Sequence, residues 1–555
     1  MDVVWLEPGN QWDQHTFELL LNNKLWGLSQ QYGFKHHKDF PKAEGIILVV
    51  PQKYYLDKVD WLNARISEYQ WVIYIGTGNE EGEFPIDHLP HPNIKIYYTT
   101  PHLKNTPMEY IDRSFGDGFA PQSEVIKDFT KEVMTKPLDV YFGGQITHSR
   151  RRQCVEAIKL LAEDPTYKTE LLETKGFTQG YDDPKEYYKR MASAKVTPCP
   201  SGPAIQDTFR TYEALEAMSI PIVDSKTPED AGPTDYWTIL FGKEPPFPII
   251  RDDYESLPNY VRNLEADWPR NINRITAWWI AKKREYAQNL NDDIQNLSDI
   301  APTTKEQITV LIPSSPIKSH PDTLIIDETI STTRTHLPNA EIILMLDGVR
   351  EEQEDRRADY EQYIYRVLWK CLHEWKNVLP LIFDDHQHQA NMTRKALEYV
   401  QTPLILFVEH DTPLTPDTEI PFKGIAETVL SGEADIVRLH HEALILDVHK
   451  HLMFDTVSQN IHGVPMMRTR QWSSRPHVSS VAYYRRILND YFSPDSKTFI
   501  EDRMYSIVEQ ACRDDGIQGW YNHRLCIYTP AGDIKRSYHT DGREGEEKFD
   551  AKQVF

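Results

Sequence analysis

The chain has 555 residues, 40% apolar and 11% aromatic, and its 61 Lys and Arg against 84 Asp and Glu give a net charge of −23. That length exceeds one ordinary core, so two to four domains are expected, and the acidity argues against nonspecific adhesion to nucleic acid or anionic membranes. No apolar run approaches the roughly 20 residues that span a bilayer. The N-terminus lacks a basic-then-apolar leader, and the five scattered cysteines fit a reducing, cytoplasmic setting.

The first third alternates short apolar runs with helical stretches. "EGIILVV" (Glu44 to Val50), "QWVIYIG" (Gln70 to Gly76) and "IKIYYTT" (Ile94 to Thr100) read as parallel strands covered on both faces. "IGTGNEE" lacks the third glycine of a dinucleotide fingerprint, so it does not signal NAD. A second set begins at "LDVYFGG" (Leu138 to Gly144) and passes the amphipathic "RRRQCVEAIKLLAED". It then reaches "AKVTPCPSG" and "SIPIVDS". A long helical stretch, "NRITAWWIAKKREYAQNLNDDIQNL", leads into the polar segment 298–307, the best candidate for a major boundary.

The pattern then restarts. "ITVLIPSS" (Ile308 to Ser315), "EIILMLDG" (Glu341 to Gly348) and "PLILFVEHD" (Pro403 to Asp411) are apolar runs that end in polar or acidic residues. In an open α/β sheet, ligands bind beyond the carboxyl ends of the strands. Three such endings, at Pro313 and Ser314, at Asp347, and at Glu409 to Asp411, predict one site. Carboxylates there either hold a hard cation beside substrate phosphates or exchange protons. "LHHEALILDVHKH" (Leu439 to His451) is not HExxH, so a zinc site is disfavoured. "DDHQHQA" (Asp384 to Ala390) reads as a polar loop after a strand.

The Glu-His-Asp ending resembles the DxD motif of GT-A-fold glycosyltransferases, and residues 306–545 resemble family 2 glycosyltransferases. The resemblance implies Mn2+ or Mg2+ held by Asp411, with Glu409 in the less usual first position and His539 of "RSYHTDGR" completing the metal. It places Pro313, Ser314, Asp347 and Arg394 at the nucleotide-sugar donor. "KTFIEDRMY" resembles the family's ED motif, making Asp502 the base that deprotonates an acceptor hydroxyl, with Glu501 beside it. Trp472 of "QWSSRPHVSS" falls in the acceptor-side loop.

"YYKRMASAKVTPCPSGPAIQDTFRTYEALEAMSIPIVDS" (Tyr187 to Ser225) resembles exostosin-type glycosyltransferases of GT-B outline. It implies a metal-free donor site in which Ser201 and Gly202 form the loop, Arg210 faces phosphate and Glu213 binds ribose. "VYFGGQITHSRRR" brings Gly143, Gly144 and Arg150 toward the same cleft. Helix N-termini and a guanidinium favour such anions on physical grounds as well.

The expected fold is therefore α/β: a GT-B-like pair of Rossmann-like lobes, residues 1–130 on the acceptor side and 131–297 on the donor side. A linker at 298–307 and a GT-A-like domain with a mixed sheet at 308–555 complete it. The expected function is a two-module, nucleotide-sugar-dependent glycosyltransferase, inverting and metal-dependent in its second module. The acceptor is a polysaccharide or glycan intermediate. Two alternatives stand beside it: a viral transferase that modifies hydroxylated bases of DNA, and a non-catalytic carbohydrate-binding scaffold. The donor sugars and the oligomeric state are left open.

Overall fold

The computed structural model describes residues 2–6, 33–36, 40–77, 89–99, 114–115, 123–132, 135–176, 181, 183, 185–229, 234–298, 307–442, 445–495, 497–532 and 534–540. It is an α/β protein that divides into two compact units. The first is Met1–Thr303 with Leu368–Lys376, and the second is Thr304–Val367 with Asn377–Phe555. The division falls within the stretch 298–307, of which residues 299–306 lie outside the described set. Among the described residues no helix is long and apolar enough to cross a membrane.

The first unit contains two parallel, Rossmann-like sheets. One runs β2-β1-β3-β4-β5-β6, from β1 (Asp2–Trp5), β2 (Gly33–His36), β3 (Gly45–Pro51), β4 (Trp71–Thr77), β5 (Ile94–Thr99) and β6 (Ser114–Phe115). Strands β3 and β4 are almost wholly buried along both faces, which is why they read as continuous apolar runs and not as alternating ones. The other sheet runs β11-β10-β9-β7-β8, from β7 (Leu138–Gln145), β8 (Thr169–Thr174), β9 (Ala194–Cys199), β10 (Ile220–Asp224) and β11 (Ile249–Ile250). Its order reverses between β7 and β9, so ligands of such a sheet are expected where Gly144 and Ser201 emerge.

The Trp268–Ser298 helix of 31 residues serves both sheets. Near its end Asp293 accepts a hydrogen bond from the Tyr97 hydroxyl on β5 at 2.8 Å. Midway, Lys283 pairs at 2.7 Å with Glu216 at the end of the Phe209–Glu216 helix, and both side chains are buried.

The second unit holds one nine-stranded mixed sheet in the order β14-β13-β12-β15-β19-β16-β20-β18-β17. Its strands are β12 (Ile308–Ser314), β13 (Ile342–Leu346), β14 (Val378–Ile382), β15 (Leu404–Phe407), β16 (Ile436–Leu439), β17 (Gln459–Ile461), β18 (Val464–Arg468), β19 (His477–Ser480) and β20 (Leu525–Tyr528). Strands β12 to β15 are parallel, and β19 pairs antiparallel between β15 and β16. The chain steps from β12 outward to β13 and β14 and returns to β15 on the other side of β12. The reversal point thus lies between the carboxyl ends of β12 and β15.

Candidate functional site

A cavity of about 830 Å³ opens at that reversal point. Its floor is built by main-chain bonds between the strand ends. Val408 and His410 donate to the carbonyls of Leu311 and Pro313 at 3.0 and 3.3 Å, and Asp347 donates to that of Ser314 at 3.0 Å. The lining includes Pro313, Ser314, Asp347, Glu409 and Asp411, so three separate strand endings do converge on one hollow.

The Glu409-His410-Asp411 step is held from several sides. His410 donates Nδ1–H to the Pro313 carbonyl at 3.2 Å, which leaves Nε2 as a bare, buried acceptor without a protein partner. Thr329 donates its hydroxyl to the His410 carbonyl at 2.7 Å. The Asp411 carbonyl accepts from the Thr540 main chain at 3.1 Å, part of a short antiparallel contact that also bridges Leu414 to Ser537. Glu409 Oε1 accepts from Gln389 Nε2 at 3.1 Å.

Gln389 is the hub the sequence did not reveal. It is buried, and its Oε1 accepts the Ile500 main-chain N–H at 2.9 Å. One amide thus ties Glu409 to the first residue of the Ile500–Asp515 helix, which carries Glu501 and Asp502 in its opening turn. Gln389→Leu leaves the Ile500 N–H buried without a partner. A loss of about 1–3 kcal/mol is expected, read by urea unfolding, together with lower activity from the displaced Glu409. Gln389 lies in "DDHQHQA", where the structure has the start of the His388–Ala396 helix and not only a loop.

Several expected roles need correcting. Asp347 is 2% exposed, and its carboxylate accepts main-chain N–H bonds from Gly348, Gln387 and His388 at 2.8, 2.7 and 3.0 Å. His386 Nδ1 also lies 2.8 Å from it. With its oxygens so engaged, Asp347 positions the 386–388 turn and is not an open acceptor for ribose or base. Gly348 is required by the same contact, since a Cβ there would sit 2.2 Å from the Asp385 backbone. Arg394 turns from the cavity and donates to the Leu488 and Phe492 carbonyls at 2.7 and 2.8 Å. Trp472 is 1% exposed and stacks on Tyr483, so it is core and no platform for an acceptor.

Glu501 accepts from the Ser474 main chain at 2.8 Å, fixing the loop before β19. Asp502 is exposed in the same turn, and its charge only partly offsets the burial and the Arg350 charge that push the His388 pKa down to about 4. Phe499, which lines the cavity and is 42% exposed, packs edge-on against His388 at 4.3 Å. His539 is half-buried, next to the cavity residue Thr540. The cations Lys318, Arg350 and Arg356 also line the cavity. They hide in acid-rich sequence such as "DGVREEQEDRR", where local charge suggests only a solvated turn.

Among the described residues no three His, Cys, Asp or Glu side chains form a ready metal cage. That holds also for the histidine-rich stretch, where Glu442 meets His440 and His449 at 3.2 and 3.3 Å. Glu409 and Asp411 do supply two hard oxygen donors on one wall, the number Mg2+ or Mn2+ takes when substrate phosphates and water provide the rest.

In the first unit, the expected donor residues are close together but committed. Arg210 is buried, donates to the Gly143 carbonyl at 2.9 Å and stacks over Phe142. A Cβ at Gly144 would come 2.3 Å from its guanidinium, and one at Gly143 would come 2.3 Å from the Tyr141 hydroxyl, which explains the paired glycines. Glu213 is buried and accepts the hydroxyls of Tyr187 and Tyr188 at 2.9 and 3.4 Å, and burial pushes its carboxyl pKa up. That geometry leaves ribose binding without a free carboxylate oxygen pair. Arg150 points inward and grips Asp224 with two bonds of 2.8 and 2.7 Å, so it braces β10 and does not enter a cleft. Ser201, wholly buried with an unpartnered hydroxyl, and Gly202 lie beyond β9 at the reversal point.

No protein-family model matches the chain, and no curated protein matches it. Solved structures do. S. aureus TarS 1-349 aligns at 14% identity over 42% of this chain and 60% of its own, with a TM-score of 0.27. The mannosyltransferase PcManGT from Pyrobaculum calidifontis, in complex with GDP-Man and Mn2+, aligns at 12% over 42% and 60%, TM-score 0.26. GalNAc-T7 with UDP, GalNAc and Mn2+ aligns at 11% over 40% and 42%, TM-score 0.24. The chain thus spans about 60% of the first of these structures. At such scores the likenesses carry no weight, and the reading below rests on the site's own geometry.

Proposed function

We propose that the second unit is a GT-A-like glycosyltransferase that moves a sugar from a nucleoside diphosphate to a hydroxyl acceptor, with inversion. The observation that carries this reading is the cavity at the reversal point, large enough for a nucleotide sugar, with Glu409 and Asp411 at one strand end and an acidic helix start beside it. Asp411 and Glu409 would hold Mn2+ or Mg2+, which when bound neutralises charge on a departing diphosphate. His539, the neighbour of the cavity residue Thr540, would join them. Pro313 and Ser314 line the donor's path.

Asp502 takes the base role. A sugar hydroxyl is a weak nucleophile at neutral pH, so a positioned carboxylate assists its attack. Glu501 holds the loop that frames the acceptor. The first unit reads as GT-B-like, with Ser201 and Gly202 as the loop at the reversal point of its second sheet. Its role is a second donor site or an acceptor-binding scaffold, and a glycan or polysaccharide intermediate is the preferred acceptor.

A thermal-shift screen of UDP- and GDP-sugars with and without Mn2+ tests the donor, since binding to the native state raises its apparent stability. Asp502→Asn is expected to retain that shift while transfer falls about 10²–10⁴-fold. Loss of the shift along with transfer would instead mark Asp502 as structural.

A further inference from the structure

We propose that Lys318, Arg350 and Arg356, with the His388 ring beside them, form a phosphate-binding subsite on the β12–β13 side of the cavity, distinct from Glu409 and Asp411. Lys318 follows β12, and the two arginines follow β13, whereas the carboxylates follow β15. In a chain of net charge −23, no carboxylate of the described residues lies within 4.0 Å of any of these three cations. The acids of the same turn, Glu351, Glu352, Glu354 and Asp355, are exposed and leave them unpaired.

The contact between Arg350 and His388 sharpens the case. The Gln389 main-chain N–H lies 2.9 Å from His388 Nδ1, and Arg350 Nη2 donates toward Nε2 at 3.3 Å. Burial, then Arg350, pushes the His388 pKa down to about 4, so the ring is neutral. A neutral imidazole accepts at only one nitrogen, so the ring does not satisfy both donors. An oxyanion at this edge of the cavity supplies the further acceptor. His388 also holds φ at +64°, a left-handed backbone that non-glycine residues seldom adopt and that concentrates at ligand sites. Asp347 braces the turn that imposes it.

The shared ligand chemistry is a phosphate group, supplied either by the donor diphosphate or by a phosphorylated acceptor. In naming these two sources the proposal rests on the transferase reading. Inorganic pyrophosphate titrated into the full chain in EDTA tests it. Arg350→Gln and Arg356→Gln are each expected to weaken binding at least fivefold, and the double variant at least twentyfold. Lys159→Gln, which removes a distant surface charge paired to Glu173, is expected to stay within twofold. Arginine variants within twofold of wild type, or an equal loss in Lys159→Gln, overturn the subsite. Unchanged circular dichroism and melting confirm that the variants fold.

Competition between pyrophosphate and UDP or GDP assigns the subsite to the donor. Simultaneous binding with the same arginine dependence assigns it to an acceptor phosphate. The titration in EDTA involves no divalent cation, whereas the transferase reading requires cation-dependent turnover of a nucleotide sugar, so failure of the transferase reading and failure of this subsite give different results.

Discussion

Asp411→Ala is expected to lower divalent-cation-dependent release of nucleotide from a nucleotide sugar by about 10³-fold, the scale of several kcal/mol that a cation contributes to a departing diphosphate. Asp411 is 5% exposed yet lines the cavity. Its carbonyl accepts the Thr540 N–H, a tie that truncating the carboxylate leaves in place. The fold should survive while the cation loses its best ligand. Glu409→Gln is expected to do less harm, because Glu409 already shares one oxygen with Gln389. A nucleotide-release assay across a Mn2+ series measures both. Turnover in Asp411→Ala with the wild-type metal dependence would refute the assignment.

The largest stability effect is expected in the first unit. Lys283→Met should cost about 3–5 kcal/mol, because it strands a carboxylate in the interior. Lys283 and Glu216 are each about 3% exposed and lie 2.7 Å apart. Trp279 Nε1 donates a further bond of 2.7 Å to the same Glu216 oxygen. Burial pushes the Lys283 pKa down, while Lys283 and its neighbours outweigh burial and lower that of Glu216. Removing the cation leaves Glu216 with one neutral donor. The double variant Lys283→Met with Glu216→Leu removes the charge altogether and should recover most of the loss. Urea unfolding of the four-member cycle reads the coupling. A single variant within 1 kcal/mol of wild type would show that water or repacking already compensates Glu216.

The α/β class and the strands that carry the site were legible in the chain because parallel strands buried on both faces are continuous apolar runs. β3, β4, β12 and β15 all have that signature. Short strands with mixed burial, such as β17 and β18, have no such signature, since their pairing depends on distant partners. The convergence of Pro313, Ser314, Asp347, Glu409 and Asp411 was also readable, because strand ends in a parallel sheet share one edge.

Direction and commitment of side chains were not. Asp347, Arg394, Trp472, Arg210 and Glu213 all have the right chemistry for a ligand, and each is instead engaged by a protein partner far along the chain. Gln389 and His388 sit in a polar run that reads as a loop, and only the turn closed by Asp347 aims them at the cavity. Sequence specifies which groups are available. Hydrogen-bond satisfaction across distant segments decides which of them remain open to a ligand, because a buried polar group takes whatever partner the fold brings within reach.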